Sequence, residues 1–220
     1  MPSNKRITNP LALAVLTHLY ECPRHPYELA AVLRERRKEA SIRLNYGSLY
    51  TVIEGLEREG YIEAVETRRE GRRPEKTVYR ITDTGEAYMF EWMRELVSVP
   101  VKEYPQFEAA LSLLPVLAPE EVIPLLEARV RFLKKTLEGC AEEAEAGREM
   151  KLPRLFSIES EYYATMVKAE CEFTQALLRD ISKDAGGITR LWKQMRKQVL
   201  TARKPAGGSG KSTSKRKRSS

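Results

Sequence analysis

Apolar residues recur at helical spacing through most of this chain, and one stretch, from Leu44 to Ile81, departs from that pattern. It opens with Leu49, Val52, Ile53 and Leu56 at i, i+3, i+4, i+7, which predicts a short helix with one buried face. Asn45 is its expected N-cap and Gly60 its C′ residue. Gly47, Thr51, Glu54 and Arg58 fall on the opposite face, with Ser48 and Tyr50 on the flanks. A strand follows, then the turn RREGRRPEK, then a second strand ending at Ile81. That turn is expected to hold Arg68, Arg69, Arg72, Arg73 and Lys76 in one loop.

Helices account for the remainder. Asn9 and Pro10 are a cap and a first-position proline for LALAVLTHLYE, and Pro26 starts a second helix over PYELAAVLRERRKE. In that second helix Leu29, Leu33 and Tyr27 are expected to turn inward. Arg34, Arg36, Arg37 and Lys38 are better read as a solvated face than as a phosphate-binding one. Thr82 or Asp83 caps a helix reaching about Val97, with Tyr88 and Trp92 among its larger residues. Two prolines between Ser98 and Pro105 mark a domain boundary, and a short helix is expected from Gln106 to Leu117.

Beyond Pro119, Ile123, Leu126, Val130, Leu133, Leu137, Cys140 and Ala144 step by alternating threes and fours, a heptad seam. A break is expected at 147–153. Tyr162, Met166, Ala169, Phe173 and Ala176 repeat the pattern on a helix from about Ser157 to Ser182, so the two helices should form an antiparallel hairpin. Gly186 and Gly187 form a hinge. An amphipathic helix follows, with Ile188, Leu191, Trp192, Met195 and Val199 inward and Arg190, Lys193, Arg196 and Lys197 outward. From Lys204 the composition is that of a disordered basic tail.

Charge changes this picture in one respect. Of 38 Lys and Arg, six lie in 204–220 with no acid among them, leaving 32 basic against 31 acidic side chains in residues 1–203. A polyanion-binding field in the folded part must therefore come from local clustering, as around residues 68–76. No apolar run approaches a membrane span, and the first residues lack the apolar core of a signal peptide, so a cytoplasmic location without membrane attachment is expected. Cys22, Cys140 and Cys171 are widely spaced and, with His18 and His25, make a poor metal set. No nucleophile–base pair or phosphate-cradling glycine loop stands out, so no catalytic residue, metal or cofactor is expected. His18 is expected at a helix surface and His25 in the break before the second helix.

A small-faced helix beside a basic hairpin is what a winged helix-turn-helix requires: the helix enters the major groove and the wing holds phosphates. The wording of the stretch resembles the PadR family of bacterial transcriptional regulators. The matching residues are Tyr46-Gly47-Ser48-Leu49-Tyr50, Leu56-Glu57, Glu59-Gly60-Tyr61-Ile62, Tyr79-Arg80-Ile81-Thr82 and Gly85, and Tyr27-Glu28-Leu29 resembles the opening of the family's second helix, with Pro26 in place of its glycine. The likeness covers roughly residues 7–98, and beyond them only the general helical layout. It implies a mainly α fold with a β-hairpin wing, in three parts: a DNA-binding domain at 1–98, an α-helical dimerisation domain at 99–203 and the tail at 204–220. It also implies a homodimer on a palindromic double-stranded operator, usually a repressor released by a small, here aromatic, effector.

On that basis Asn45, Tyr46, Ser48, Tyr50, Thr51, Arg68, Arg69, Arg72, Arg73 and Lys76 are candidates for DNA contact. Tyr46 and Tyr50 are equally readable as anchors of the three-helix core. Tyr88 and Trp92 are candidates for an effector cavity, with core or interface packing as the other reading of Trp92. Leu126, Val130, Leu133, Leu137, Tyr162 and Phe173 are candidates for dimer contact or for packing within one chain. A winged-helix protein-interaction dimer that reads no DNA is the alternative function.

The tail gives a first test. Deleting 204–220 should lower affinity for operator and random duplex by a similar factor, and the loss should shrink as salt rises. Binding isotherms at two ionic strengths check this, and unchanged affinity at low salt would mark the tail as inert.

Overall fold

Asn9 Oδ1 accepts the backbone N–H of Leu11 at 3.0 Å, and Pro10 takes the first helical position, where its missing N–H has no helical partner to lose. That pair starts α1 (Pro10–Glu21). The computed structural model describes residues 7, 9–68 and 76–202, which fall into two compact units, one ending at Glu103 and the other beginning at Tyr104.

In the first unit, α1 is followed by α2 (Pro26–Glu35), α3 (Tyr46–Arg58), the hairpin strands β1 (Ile62–Arg68) and β2 (Lys76–Ile81), and α4 (Asp83–Ser98). One core joins them, built on Leu11, Leu16 and Leu19 of α1, Leu29 and Leu33 of α2, the buried face of α3, Ile62, and Met89 and Trp92 of α4. The expected face of α3 is the buried one, since Leu49, Val52, Ile53 and Leu56 are all enclosed. Its C-terminus is a Schellman closure: Gly60, at φ +73°, sends its N–H to Glu57 O, and Tyr61 N–H reaches Leu56 O.

Three local expectations are corrected in this unit. The second helix ends at Glu35, not near Glu39; Arg37 turns to φ +54° and a 3₁₀ turn spans Lys38–Ala40. Tyr27 is 65% exposed, because the face that packs is Leu29, Ala30 and Leu33, and Tyr27 lies well round the helix from it. His18 is 5% exposed rather than at the surface, because α1 buries Leu11 through Leu16 without interruption and leaves only a narrow outer stripe.

The second unit holds α5 (Gln106–Ser112), α6 (Pro119–Glu149), α7 (Ile158–Lys183) and α8 (Ile188–Ala202). The expected helix to Leu117 stops at Ser112, and Pro115 sits in a separate 3₁₀ turn. α6 and α7 are antiparallel: Val122 and Leu126 pack with Ile181, whereas Val130 and Leu133 pack with Val167 and Cys171. α6 runs through Gly147, the start of the expected break. It closes at Lys151, φ +52°, with Leu152 N–H on Gly147 O.

On α7 the expected seam is out of phase. Tyr162 and Phe173 are 68% and 52% exposed, and the buried stripe is Val167, Cys171, Thr174 and Ile181, more than a quarter-turn round the helix. Thr174 tolerates that position because its hydroxyl donates to Glu170 O at 2.7 Å. On α8, Trp192 is buried and its Nε1–H donates to Leu117 O at 2.9 Å. Arg196, expected outward, turns back to the Val116 carbonyl and Glu121, while Lys193 pairs with Glu120.

His18 carries a prediction. Its Nδ1 lies 2.8 Å from Ala14 O; a carbonyl only accepts, so Nδ1 carries the proton and Nε2 is left buried with no partner. Burial, the largest cause, holds the imidazole below its ordinary pKa, aided by Arg36 and Arg24 and opposed by the Ala14 bond and Glu21. The unfolded chain therefore binds the proton more readily, so stability is full above about pH 6.5 and falls as pH drops through that value. The thermal midpoint should fall between pH 7 and 5, and His18→Gln, which keeps a donor for Ala14, should flatten that fall. Glu21, held low chiefly by its hydrogen bond from Arg36, acts only below the ordinary carboxylate range. An equal fall in both proteins would acquit His18.

Candidate nucleic-acid interface

The outer side of α3 is made by its sequence and fixed by its cap. Asn45 Oδ1 accepts Ser48 N–H at 2.7 Å, so the first turn forms with the Asn45 side chain engaged in capping. Tyr46, Gly47, Tyr50, Thr51 and Glu54 then lie exposed on one side, and Ser48 is half-buried. Tyr46 and Tyr50 are 42% and 46% exposed, which removes both from the core. Thr51 Oγ1 donates to Gly47 O at 3.0 Å, leaving its methyl and an oxygen lone pair outward.

The preceding helix supplies a contact that periodicity does not reveal. Arg34 of α2 donates through Nη1 to the Tyr46 hydroxyl at 2.7 Å, and its guanidinium carbon stands 4.6 Å from the centre of that ring. Arg36 is engaged elsewhere: with Arg24 it holds Glu21, at 2.9 Å and 3.1 Å respectively. Arg34 and Arg36 thus both have defined partners rather than forming a uniformly solvated face.

The wing is a two-stranded antiparallel hairpin in the register Ile62↔Ile81 to Arg68↔Lys76, with a bulge between Ala64 and Glu66. Arg24, in the α1–α2 connection, bridges to Tyr79 through reciprocal 3.0 Å backbone bonds, so the helical part is tied to the inner strand. Arg68 and Lys76, expected in the turn, belong to the strands and face each other in register. Arg69, Arg72 and Arg73 lie outside the described residues.

Elsewhere the candidate residues have packing roles. Tyr88 stacks on Tyr61 at 4.3 Å with rings 4° from parallel, its hydroxyl donates to Ile7 O at 2.8 Å, and Trp92 is buried beside it at 5.7 Å. Leu126, Val130 and Leu133 are buried within their own unit and Leu137 is half-buried. Tyr162 and Phe173 stand exposed, as do Phe132, Tyr163 and Met166. Among the described residues no group of His, Cys, Asp and Glu could hold a metal, and no helix is long and apolar enough to cross a membrane.

A three-helix core with an exposed recognition-type helix and a following β-hairpin defines a winged helix-turn-helix. Residues 15–91 match the model of the Transcriptional regulator PadR-like family, and that part of the chain is a PadR-like transcriptional regulator domain. The family is one of regulators, not enzymes. No curated protein sequence matches the chain. Among solved structures, Bacillus subtilis PadR in complex with operator DNA is similar with a TM-score of 0.60 at 19% identity, over 79% of this chain and 99% of that one. The same protein in complex with p-coumaric acid gives 0.60 at 16%, over 78% and 98%. The Vibrio cholerae virulence activator AphA gives 0.59 at 17%, over 80% and 99%. At these identities the likeness is one of fold.

The outward position of Thr51 gives a prediction. Thr51→Gln should lower specific binding while leaving non-specific binding near wild type, because it adds bulk to the helix side and removes no charge. Titration of an operator and of a random duplex checks this, and an equal loss on both would place Thr51 away from the base edges.

Proposed function

We propose that this protein is a sequence-specific regulator that binds double-stranded DNA as a cytoplasmic homodimer, represses transcription from a palindromic operator, and is released by a small aromatic effector. The observation that carries the reading is the outer side of α3. It presents hydroxyls and two aromatic rings on a helix whose other face is locked into the core, next to a hairpin whose outer sequence is basic. In that reading Tyr46, Ser48, Tyr50 and Thr51 meet the major groove, and Arg68, Arg69, Arg72, Arg73 and Lys76 hold phosphates. Asn45 contributes by capping the helix. Residues 1–98 bind DNA, 99–203 dimerise, and 204–220 add a sequence-independent charge.

Dimerisation through the second unit is supported by its exposed apolar side chains, among them Phe132, Tyr162, Met166 and Phe173. The seam residues Leu126, Val130, Leu133 and Leu137 act behind that surface by holding α6 on α7. For the effector, the support is the PadR structure bound to p-coumaric acid, together with the aromatic group of Tyr88 and Trp92. A winged-helix dimer that reads no DNA is disfavoured by the basic wing sequence.

Footprinting on the DNA flanking its own gene tests the central claim, and absence of any protected site would leave the protein-interaction alternative. Arg72→Ala with Arg73→Ala should weaken binding to all sequences and lower the salt slope by about one per lost phosphate contact. Sedimentation should show a dimer at micromolar concentration, with two recognition helices about 34 Å apart on the duplex. A monomer binding a palindrome at full affinity would overturn the dimer. In a reporter assay, transcription should rise when the protein is removed or p-coumaric acid is added; a fall on removal would make it an activator.

A further inference from the structure

The Arg34–Tyr46 contact has a chemical consequence for the face of α3. Arginine has five N–H donors and no acceptor, so in the 2.7 Å contact the Tyr46 oxygen must accept. A phenolic oxygen that accepts from Arg34 still carries its own proton, and that proton must be donated elsewhere. The guanidinium also lies against the Tyr46 ring at 4.6 Å and stands 3.8 Å from Glu39, so its position is held from a third side. Tyr46 is the first residue of α3, at the end of a recognition helix that meets base edges in a helix-turn-helix.

We propose that Arg34 is a positioning residue that fixes the Tyr46 side chain before DNA arrives and commits its hydroxyl to donating. The inference rests on the DNA-binding reading given above. A committed donor selects acceptors on base edges: guanine N7 or O6, adenine N7, or thymine O4. It rejects an edge that presents an amino group, cytosine N4 or adenine N6, because two donors would then face each other. Arg34 thus sets which base edge is tolerated beneath Tyr46 without itself being the reader. Pre-ordering a long side chain also removes part of the entropy otherwise lost on binding. Both residues are 42% exposed, so substitutions here test binding rather than folding.

The experiment uses the full chain with four proteins: wild type, Arg34→Met, Tyr46→Phe, and the double variant. Each is titrated with the footprinted operator and a random duplex of equal length. Arg34→Met and Tyr46→Phe should each lower the operator-to-random ratio about 3- to 10-fold, the range of one hydrogen bond, and the double variant should lose no more than either single one. Arg34→Lys, which keeps a donor but not the planar stacking, should recover part of the ratio. Multiplying losses in the double variant, or an Arg34→Met loss shared equally by operator and random DNA, would overturn the proposal and make Arg34 an independent phosphate contact. A second readout needs no DNA. With 3-fluorotyrosine incorporated, the Tyr46 fluorine resonance, identified by its absence in Tyr46→Phe, should shift in Arg34→Met. An unmoved resonance overturns the positioning role even where operator binding is intact, whereas a wild type with no preferred duplex overturns the DNA-binding reading instead.

Discussion

The first unit depends on one hydroxyl, that of Thr82. Its Oγ1 donates to Gly60 O at 2.7 Å and accepts the N–H of Gly85 at 3.0 Å, while Thr82 N–H bonds Tyr61 O at 3.0 Å. A single side chain thereby caps α4, closes the open end of the hairpin and ties both to the end of α3. Gly85 makes the closure possible. A Cβ there would stand 1.9 Å from Tyr61 O, a backbone atom that cannot move aside, so any other residue would push α4 off the base of the wing. Gly60 completes it from the other side, since its positive φ turns the chain from helix into strand within two residues. The motif residues between Glu59 and Gly85 thus act largely on geometry, fixing where the wing springs from relative to α3.

Given that clamp, the outer side of α3 follows from what the inner side buries. Four apolar side chains fix the rotation of the helix, and the remaining positions have nowhere to point except outward. The aromatic group of Tyr61, Tyr88 and Trp92 sits at the same junction and stiffens it: the near-parallel stack of Tyr61 on Tyr88 joins the wing base to α4, and the Tyr88 hydroxyl holds the chain before α1. A cavity at these residues would need that stack to open, which would couple any ligand there to the wing base.

Periodicity, caps and breakers made the helices, the hairpin and the face of α3 legible, because each depends on neighbours within one or two turns. The errors have a common cause, which is dependence on contacts distant in sequence. α7 carries two adjacent stripes stepping by threes and fours, and the bulky one, with Tyr162 and Phe173, looks more like a core than the one with Cys171 and Thr174. The inner stripe wins because small residues let α6 approach and the Thr174 hydroxyl closes on its own helix. His18 and Tyr27 were misplaced for the same reason, since α1 is enclosed on almost every side and α2 on only one. The Arg34–Tyr46 pair, twelve residues apart on two helices, leaves no trace in any periodic pattern. On the helix side, Gly47, Thr51 and Glu54 were readable as outward, whereas periodicity left Tyr46 and Tyr50 open between the surface and the core. For the wing, only the presence of the basic cluster was readable, because strand register decides which positions pair.

Charge placement ties these observations together. With residues 1–203 near neutral, a cation already bound to a carboxylate adds little to the field at the surface. Glu21 engages both Arg24 and Arg36, and since Arg24 also bridges to Tyr79, that ion pair serves to join α1, α2 and β2. Its partners are thus diverted from the surface field toward holding the three elements in place. Arg34 is shared between the Tyr46 hydroxyl at 2.7 Å and Glu39 at 3.8 Å, so its contacts hold it beside the exposed end of α3. The fold therefore sorts these arginines by what faces each of them: Arg24 and Arg36 join elements through Glu21, and Arg34 holds the first side chain of α3.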